Sequence, residues 1–151
     1  MEADIYIITS RKAPRAGPGR YVSVLEYKVN DREYTKVLRQ GRESITPHAL
    51  ELEAVADSLK RFKKPCGIRI HSSHGWFRSV IENGWLDKWK RAGWMNKDRP
   101  VPNTELYQGI LDTEEKLNLE IISIDDDLGT FKTWLTNEIK GGTDDSKNRS
   151  M

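Results

Sequence analysis

A run of tryptophans interleaved with cations carries the clearest chemical signal in this chain: Trp85-Leu86-Asp87-Lys88-Trp89-Lys90-Arg91-Ala92-Gly93-Trp94. Cations hold phosphate through charge, and indole faces stack on bases. A second group of cations, Arg11, Lys12 and Arg15, falls in a loop rich in Gly and Pro between Ser10 and Gly19. His71 and His74 flank Ser73, and imidazole nitrogen is a zinc ligand, but a zinc site needs a third strong ligand that this pair lacks. Asp125, Asp126 and Asp127 form an acidic run, with Glu138 beyond it. Carboxylates suit a hard cation, yet a run of like charge between two elements reads first as a solvated loop. Lys60, Arg61, Lys63 and Lys64 close a predicted helix, where cations complement the dipole. Cys66, the sole cysteine, cannot close an internal disulfide and reads as a small buried strand residue.

The elements that must position these groups follow from apolar patterning. Asp4 to Thr9 reads as a short buried strand. Tyr21 to Val29 and Arg32 to Leu38 are β-rich runs split by Asn30-Asp31, the pattern of a hairpin. Gly41 to His48 reads as a connection, in which Thr46 caps a helix and Pro47 takes its first position. Leu50, Val55, Leu59 and Phe62 carry the stripe of that helix to Lys64, before Pro65-Cys66 ends it. Gly67 to Ser72 alternates as a strand, and Trp76, Phe77, Val80 and Ile81 mark another helix. Asn103 to Leu117 reads as a helix, Leu119 to Ile124 as the last strand, and Leu128 to Ile139 as the last helix. The order β-β-β-α-β-α-α-β-α predicts an α/β domain over residues 1–140, a mixed sheet with helices on its faces. Residues 141–151 hold no apolar side chain but the last Met and read as a disordered tail.

With 151 residues, the chain fits one domain that buries about two thirds of its unfolded surface. No apolar run approaches the roughly 20 residues that span a bilayer, so no membrane partner is expected. The acidic start runs straight into a strand, unlike a signal peptide, and with one cysteine this points to a cytoplasmic protein. The net charge of +2 conceals an asymmetry: residues 1–100 carry 20 basic and 12 acidic side chains, residues 101–151 carry 5 and 11. A basic two thirds is compatible with a phosphate-facing surface, and equally with a solvated one.

The order of elements and several motifs together resemble the type 1 ribonuclease H family. Gly17-Pro18-Gly19-Arg20-Tyr21 looks like that family's glycine-rich turn into its second strand. Glu51 to Ala56 resembles the start of its first helix, and Pro65 to Ser73 the strand that ends in a catalytic Asp. Gly84 to Trp94, followed by Pro100-Val101-Pro102-Asn103-Thr104-Glu105-Leu106-Tyr107, resembles its basic protrusion, or handle, which holds hybrids. The resemblance spans residues 4–140. It implies a five-stranded mixed sheet, the first three strands antiparallel and the rest parallel to the first.

The family hydrolyses the RNA strand of RNA–DNA hybrids with two divalent ions, usually magnesium, held by four carboxylates. The matching positions here are Thr9, Glu51, Ser73 and Asn137, which the resemblance places in one shallow pocket. The family's mobile histidine aligns with Asp127. One carboxylate of the four remains, and neutral oxygens are weak ligands alone; no cofactor is expected. The family's phosphate pocket matches Ile45 to Ala49, with Ala49 where it has Arg.

On the binding side, the resemblance turns Lys88, Lys90, Arg91, Trp85 and Asn103 toward nucleic acid, with Arg11, Lys12 and Arg15 on the first loop. Trp85 would lie against a sugar or base, and Asn103 in the minor groove, where the 2′-hydroxyl marks RNA. Trp89 and Trp94 would brace the handle. Three functions remain open: a nucleic-acid-binding module for hybrid or duplex, a weak or rearranged ribonuclease using Mg or Mn, and a protein-interaction scaffold. The oligomeric state is not written in these patterns.

Overall fold

The computed structural model describes residues 1–10 and 13–149, the side chains of residues 141–149 excepted. Five strands form one sheet in the order β3-β2-β1-β4-β7. β1 (Glu2–Thr9), β2 (Gly17–Val29) and β3 (Arg32–Ile45) pair antiparallel, while β4 (Cys66–Ser72) and β7 (Leu119–Asp125) run parallel to β1. This is the predicted topology.

The β2–β3 hairpin turns on two residues. Asn30 and Asp31 have φ of 51° and 67°, and Val29 pairs with Arg32. Two successive positive φ values define the turn whose twist matches that of the flanking strands, and Asn and Asp tolerate it. The strands run longer than the sequence predicts. Gly41 to Ile45, read as a connection, stays in β3 because Arg20 pairs with Gly41 and Gly17 with Ile45 across a bulge. Pairing carries this segment, whose side chains are mostly exposed and offer no apolar alternation to read.

α1 (Pro47–Leu59) begins as expected: Thr46 Oγ1 accepts from the Ala49 N–H, and Pro47 holds the first position. The helix stops at Leu59, short of the predicted Lys64, with Lys60 as its C-cap. It is buried on most of its circumference, including Leu50, Leu52, Val55 and Leu59, because the sheet lies on one side and α4 (Thr104–Leu117) on the other.

Alternation along β1 divides the core. Ala3, Ile5 and Ile7 join α1, β4 and α4 in the main cluster. Ile8 joins Val22, Val24, Leu128 and Leu135 in a smaller cluster under α5 (Lys132–Arg149). Burying such side chains stabilises by about 1.5–3 kcal/mol each. A 3₁₀ turn over Gly129–Phe131 precedes α5. The helix continues through residues 141–149, most of the segment read as a tail. Residues 150 and 151 lie outside the described residues.

Between β4 and α4, the chain forms α2 (Trp76–Glu82), α3 (Trp85–Arg91) and a two-residue ribbon of β5 (Met95–Asn96) and β6 (Arg99–Pro100), which the sequence did not announce. Among the described residues, no helix is long and apolar enough to cross a membrane.

Candidate functional site

The ends of β1 and β4 meet beside the start of α2. The Ser73 N–H donates to the Ile7 carbonyl at 3.0 Å, and the Thr9 N–H lies 3.4 Å from Ser73 Oγ. Glu51 approaches the same place from α1 and is fully buried. Its carboxylate accepts three bonds: Oε2 from the Ser72 hydroxyl at 2.5 Å and the Gly75 N–H at 3.0 Å, and Oε1 from the Phe77 N–H at 2.6 Å. Gly75, the N-cap of α2, has φ of 81° and no capping side chain of its own. Glu51 therefore supplies from another element the acceptor that the first turn of α2 needs.

Asn137, the fourth aligned position, is exposed on α5, whose Leu135 is buried. Two residues turn a helix by about 200°, so Asn137 leaves the side that Leu135 packs.

Thr9 and Ser73 offer neutral hydroxyls, and both oxygens of Glu51 are already engaged by donors. Among the described residues, no three His, Cys, Asp or Glu side chains gather where a metal could sit. The residues present do not fit a pair of magnesium ions.

His71 and His74 part company. His71 lies on the α5 side of the sheet and bridges two carboxylates, Nδ1 to Asp125 Oδ1 at 2.6 Å and Nε2 to Asp4 Oδ1 at 2.8 Å. Tyr6 stacks on it at 4.5 Å, and Arg69 donates to both oxygens of Asp4. Burial works against the charge on Asp4, but the bonds from Arg69 and His71 outweigh it and hold its carboxyl below the ordinary value. Asp125 is held low in the same way, with burial overcome by His71 and by the Asp127 N–H. Asp127 in turn accepts from the Gly129 N–H at 2.8 Å. Asp125, the last residue of β7, and Asp127 thus order the turn into α5.

His74 faces the opposite way. Its Nε2 lies 2.8 Å from Nδ1 of His48, the second residue of α1. The His48 ring stacks on Trp76 with centroids 4.0 Å apart and planes within 4°. From Trp76 the aromatic contacts continue to Trp85 at 5.7 Å, Trp89 at 6.0 Å and Tyr107 at 5.4 Å. The Trp76 indole N–H donates to the Tyr107 hydroxyl at 2.9 Å, which fixes its plane. Trp89 is buried and Trp94 stacks over Tyr107, so both tie α3 and the turn after it to α4. Sequence reasoning passed over His48, Trp76 and Tyr107 as a group. Only helical position ties His48 to its partners, and nothing in the chain order signals that they touch.

On α3, Lys88, Lys90 and Arg91 are exposed and Trp85 is half-buried. Lys88 and Arg91, three residues apart, share a face. Lys90 instead lines a cleft of about 590 Å³ between α3 and α4, with Trp94, Asp112, Glu114 and Glu115. Burial raises the Glu114 carboxyl to about 7. Asn103 has φ of 65° and caps α4 through its carbonyl, while its side-chain amide makes no capping bond. Ala49 stands in the first turn of α1, its N–H taken by Thr46. Arg15 is exposed in the first loop. Arg11 and Lys12 lie outside the described residues.

The sheet order and the helices around it define a ribonuclease H-like α/β fold. Among solved structures, LC9-RNase H1, a type 1 RNase H with the type 2 active-site motif, matches with a TM-score of 0.69 at 14% identity, covering 93% of this chain and 72% of that one. LC11-RNase H1 in complex with RNA/DNA hybrid matches with a TM-score of 0.58 at 14% identity, covering 93% and 99%. No family model matches the chain. Among curated proteins, ribonuclease H of Thermoanaerobacter sp. (strain X514) is 30% identical over 109 residues, covering 72% of this chain and 68% of that protein. Ribonuclease H of Chelativorans sp. (strain BNC1) is 36% identical over 95 residues, covering 62% and 56%. The chain belongs to the ribonuclease H family.

Proposed function

We propose that this chain is a nucleic-acid-binding member of the family that holds RNA–DNA hybrid or duplex without divalent metal and has lost the two-metal hydrolysis. One observation carries the reading: the only carboxylate at the four family positions, Glu51, is spent on capping α2, while the handle keeps Trp85, Lys88 and Arg91 at its surface. Neutral Thr9 and Ser73 remove the negative charge that would repel phosphate in the absence of metal. LC11-RNase H1, which shares the fold, is a hybrid-bound protein. The single cysteine, buried and unbridged, suits a reducing cytoplasm.

The test is a titration of a labelled RNA–DNA hybrid in EDTA, in magnesium and in manganese, followed for both binding and cleavage. Binding of similar affinity in all three, with no metal-dependent cleavage, is the expected result. A second reading, a rearranged metal-dependent ribonuclease, draws on the 30% identity to a protein named ribonuclease H. It predicts cleavage in magnesium or manganese that disappears in Glu51→Gln. Absence of binding to hybrid, double-stranded and single-stranded nucleic acid at low salt would move the function to protein interaction.

A further inference from the structure

His48 and His74 meet end to end. Their nitrogens are 2.8 Å apart and their ring centroids 5.1 Å apart, the spacing of two imidazoles joined by one N–H···N bond in line. That leaves His48 Nε2 and His74 Nδ1 as the outer nitrogens. In the uncharged pair each ring carries one proton. The ring that donates inward has a bare outer nitrogen, and the ring that accepts has an outer N–H. One end of the pair is a base and the other an acid. A proton taken up at the base end, with the shared proton moving across, lets the acid end release one while neither ring stays charged.

The surroundings suit this chemistry. Burial, and then the neighbouring His74, lower the proton affinity of His48. The one carboxylate that counters this, Glu51, lies inside the core with its oxygens bonded to Ser72, Gly75 and Phe77. His48 stands in the first turn of α1, which has no acidic residue, and the helix dipole there favours added negative charge on a phosphate. Trp76 beneath His48 fixes that ring, and half-buried Trp85 beside it offers a face on which a base can stack.

We propose that His48 and His74 act as a metal-independent acid–base pair that cleaves an unpaired RNA segment lying on the Trp76–Trp85 surface. The base end takes the proton of a ribose 2′-hydroxyl, and the 2′-oxygen forms a bond to the adjacent phosphorus. The bond from phosphorus to the 5′-oxygen breaks, and the acid end protonates that oxygen. The products are a 2′,3′-cyclic phosphate and a 5′-hydroxyl, with no water, metal or redox partner consumed. Unpaired RNA is required because the 2′-oxygen must swing opposite the leaving oxygen, which a regular A-form helix prevents. The pair goes beyond the binding function but relies on it to deliver RNA.

The experiment uses a labelled single-stranded oligonucleotide, DNA except for one ribonucleotide, incubated with the full chain in EDTA. Cleavage at the ribonucleotide with a cyclic-phosphate end is expected. It should fall by about 10²-fold or more in His48→Ala and in His74→Ala. His48→Gln and His74→Gln, which hydrogen-bond but cannot relay a proton, should lose it equally, with melting curves confirming that each variant folds. Cleavage of equal rate in the parent and all four variants overturns the proposal, since it must then come from elsewhere. No cleavage overturns it too. Anisotropy of the all-DNA oligonucleotide and of a labelled RNA–DNA hybrid, followed in parallel, separates the two failures: binding without cleavage removes only the acid–base pair, and binding to neither, nor to duplex, removes the proposed function as well.

Discussion

Glu51 separates a structural role from a metal-binding one at a single residue. Glu51→Gln turns one of two acceptors into a donor that faces N–H and O–H groups, and the cost is about 1–3 kcal/mol of stability. Chemical denaturation in EDTA reads it directly; a variant more stable than the parent would mean the carboxylate is repelled by its surroundings, as a metal ligand without its metal would be. On the handle, Trp85→Ala should cost about 1–3 kcal/mol of nucleic-acid binding with no change in salt dependence. Arg91→Ala should lower the log–log salt slope by about one. Lys90→Ala should do less, because Lys90 lines the cleft with Asp112, Glu114 and Glu115; equal slopes for the two variants would refute that distinction. Trp85 and the cations could be read from sequence because their types and spacing are local. The His48–His74 contact could not, because its residues lie 26 positions apart and neither is unusual alone.

At the scale of elements, Arg69 and His71 of β4 tie it to Asp4 of β1, and His71 reaches Asp125 of β7. Asp4 and Asp125 are held below the ordinary value of 3.8, so the folded state binds their protons less tightly than the unfolded chain does. Their contribution is present above that value and is lost as pH falls through the depressed folded values. Asp4→Asn should therefore destabilise the protein at neutral pH, and the difference from the parent should shrink in acid; a difference independent of pH would assign the effect to packing. Glu114 on α4 has the opposite sign. Its folded value of about 7 stands above the ordinary 4.5, so stability is lost as pH rises through that interval. Glu114→Gln should stabilise at pH 8 by about 1–2 kcal/mol, discounted for partial solvent access, and be neutral below pH 4. The element order was legible because Thr46-Pro47, Asn30-Asp31 and the alternation in β1 and β4 are local signals. The far half of β3 and the β5–β6 ribbon were not, since pairing rather than side-chain pattern makes them strands.

For the molecule as a whole, the handle cations and the basic first loop should give metal-free binding to hybrid with a salt slope of about −4 to −5, for four to six phosphate contacts. Fluorescence anisotropy across a salt series measures it, and a slope near zero would exclude a phosphate-directed surface. The whole-chain resemblance made the fold legible even where single motifs were degenerate, because Gly17 to Tyr21 and Gly84 to Trp94 are spaced by the same sheet. It did not show what Glu51 does. A retained residue type at an aligned position looks the same in sequence whether its oxygens hold a metal or a helix end.

The aromatic contacts from His48 to Tyr107 have an optical consequence. Four of the five tryptophans, Trp76, Trp85, Trp89 and Trp94, belong to one connected set of rings, while Trp134 sits on α5 under Arg39. Neighbouring rings 5–6 Å apart exchange excitation faster than they emit, so light absorbed anywhere in the set is released from its lowest-energy member. An imidazolium quenches an indole it touches, and His48 lies flat on Trp76. The protein thus carries a built-in reporter: protonation of His48, or a base settling on Trp85, dims most of its ultraviolet emission at once and leaves the Trp134 component as an internal reference.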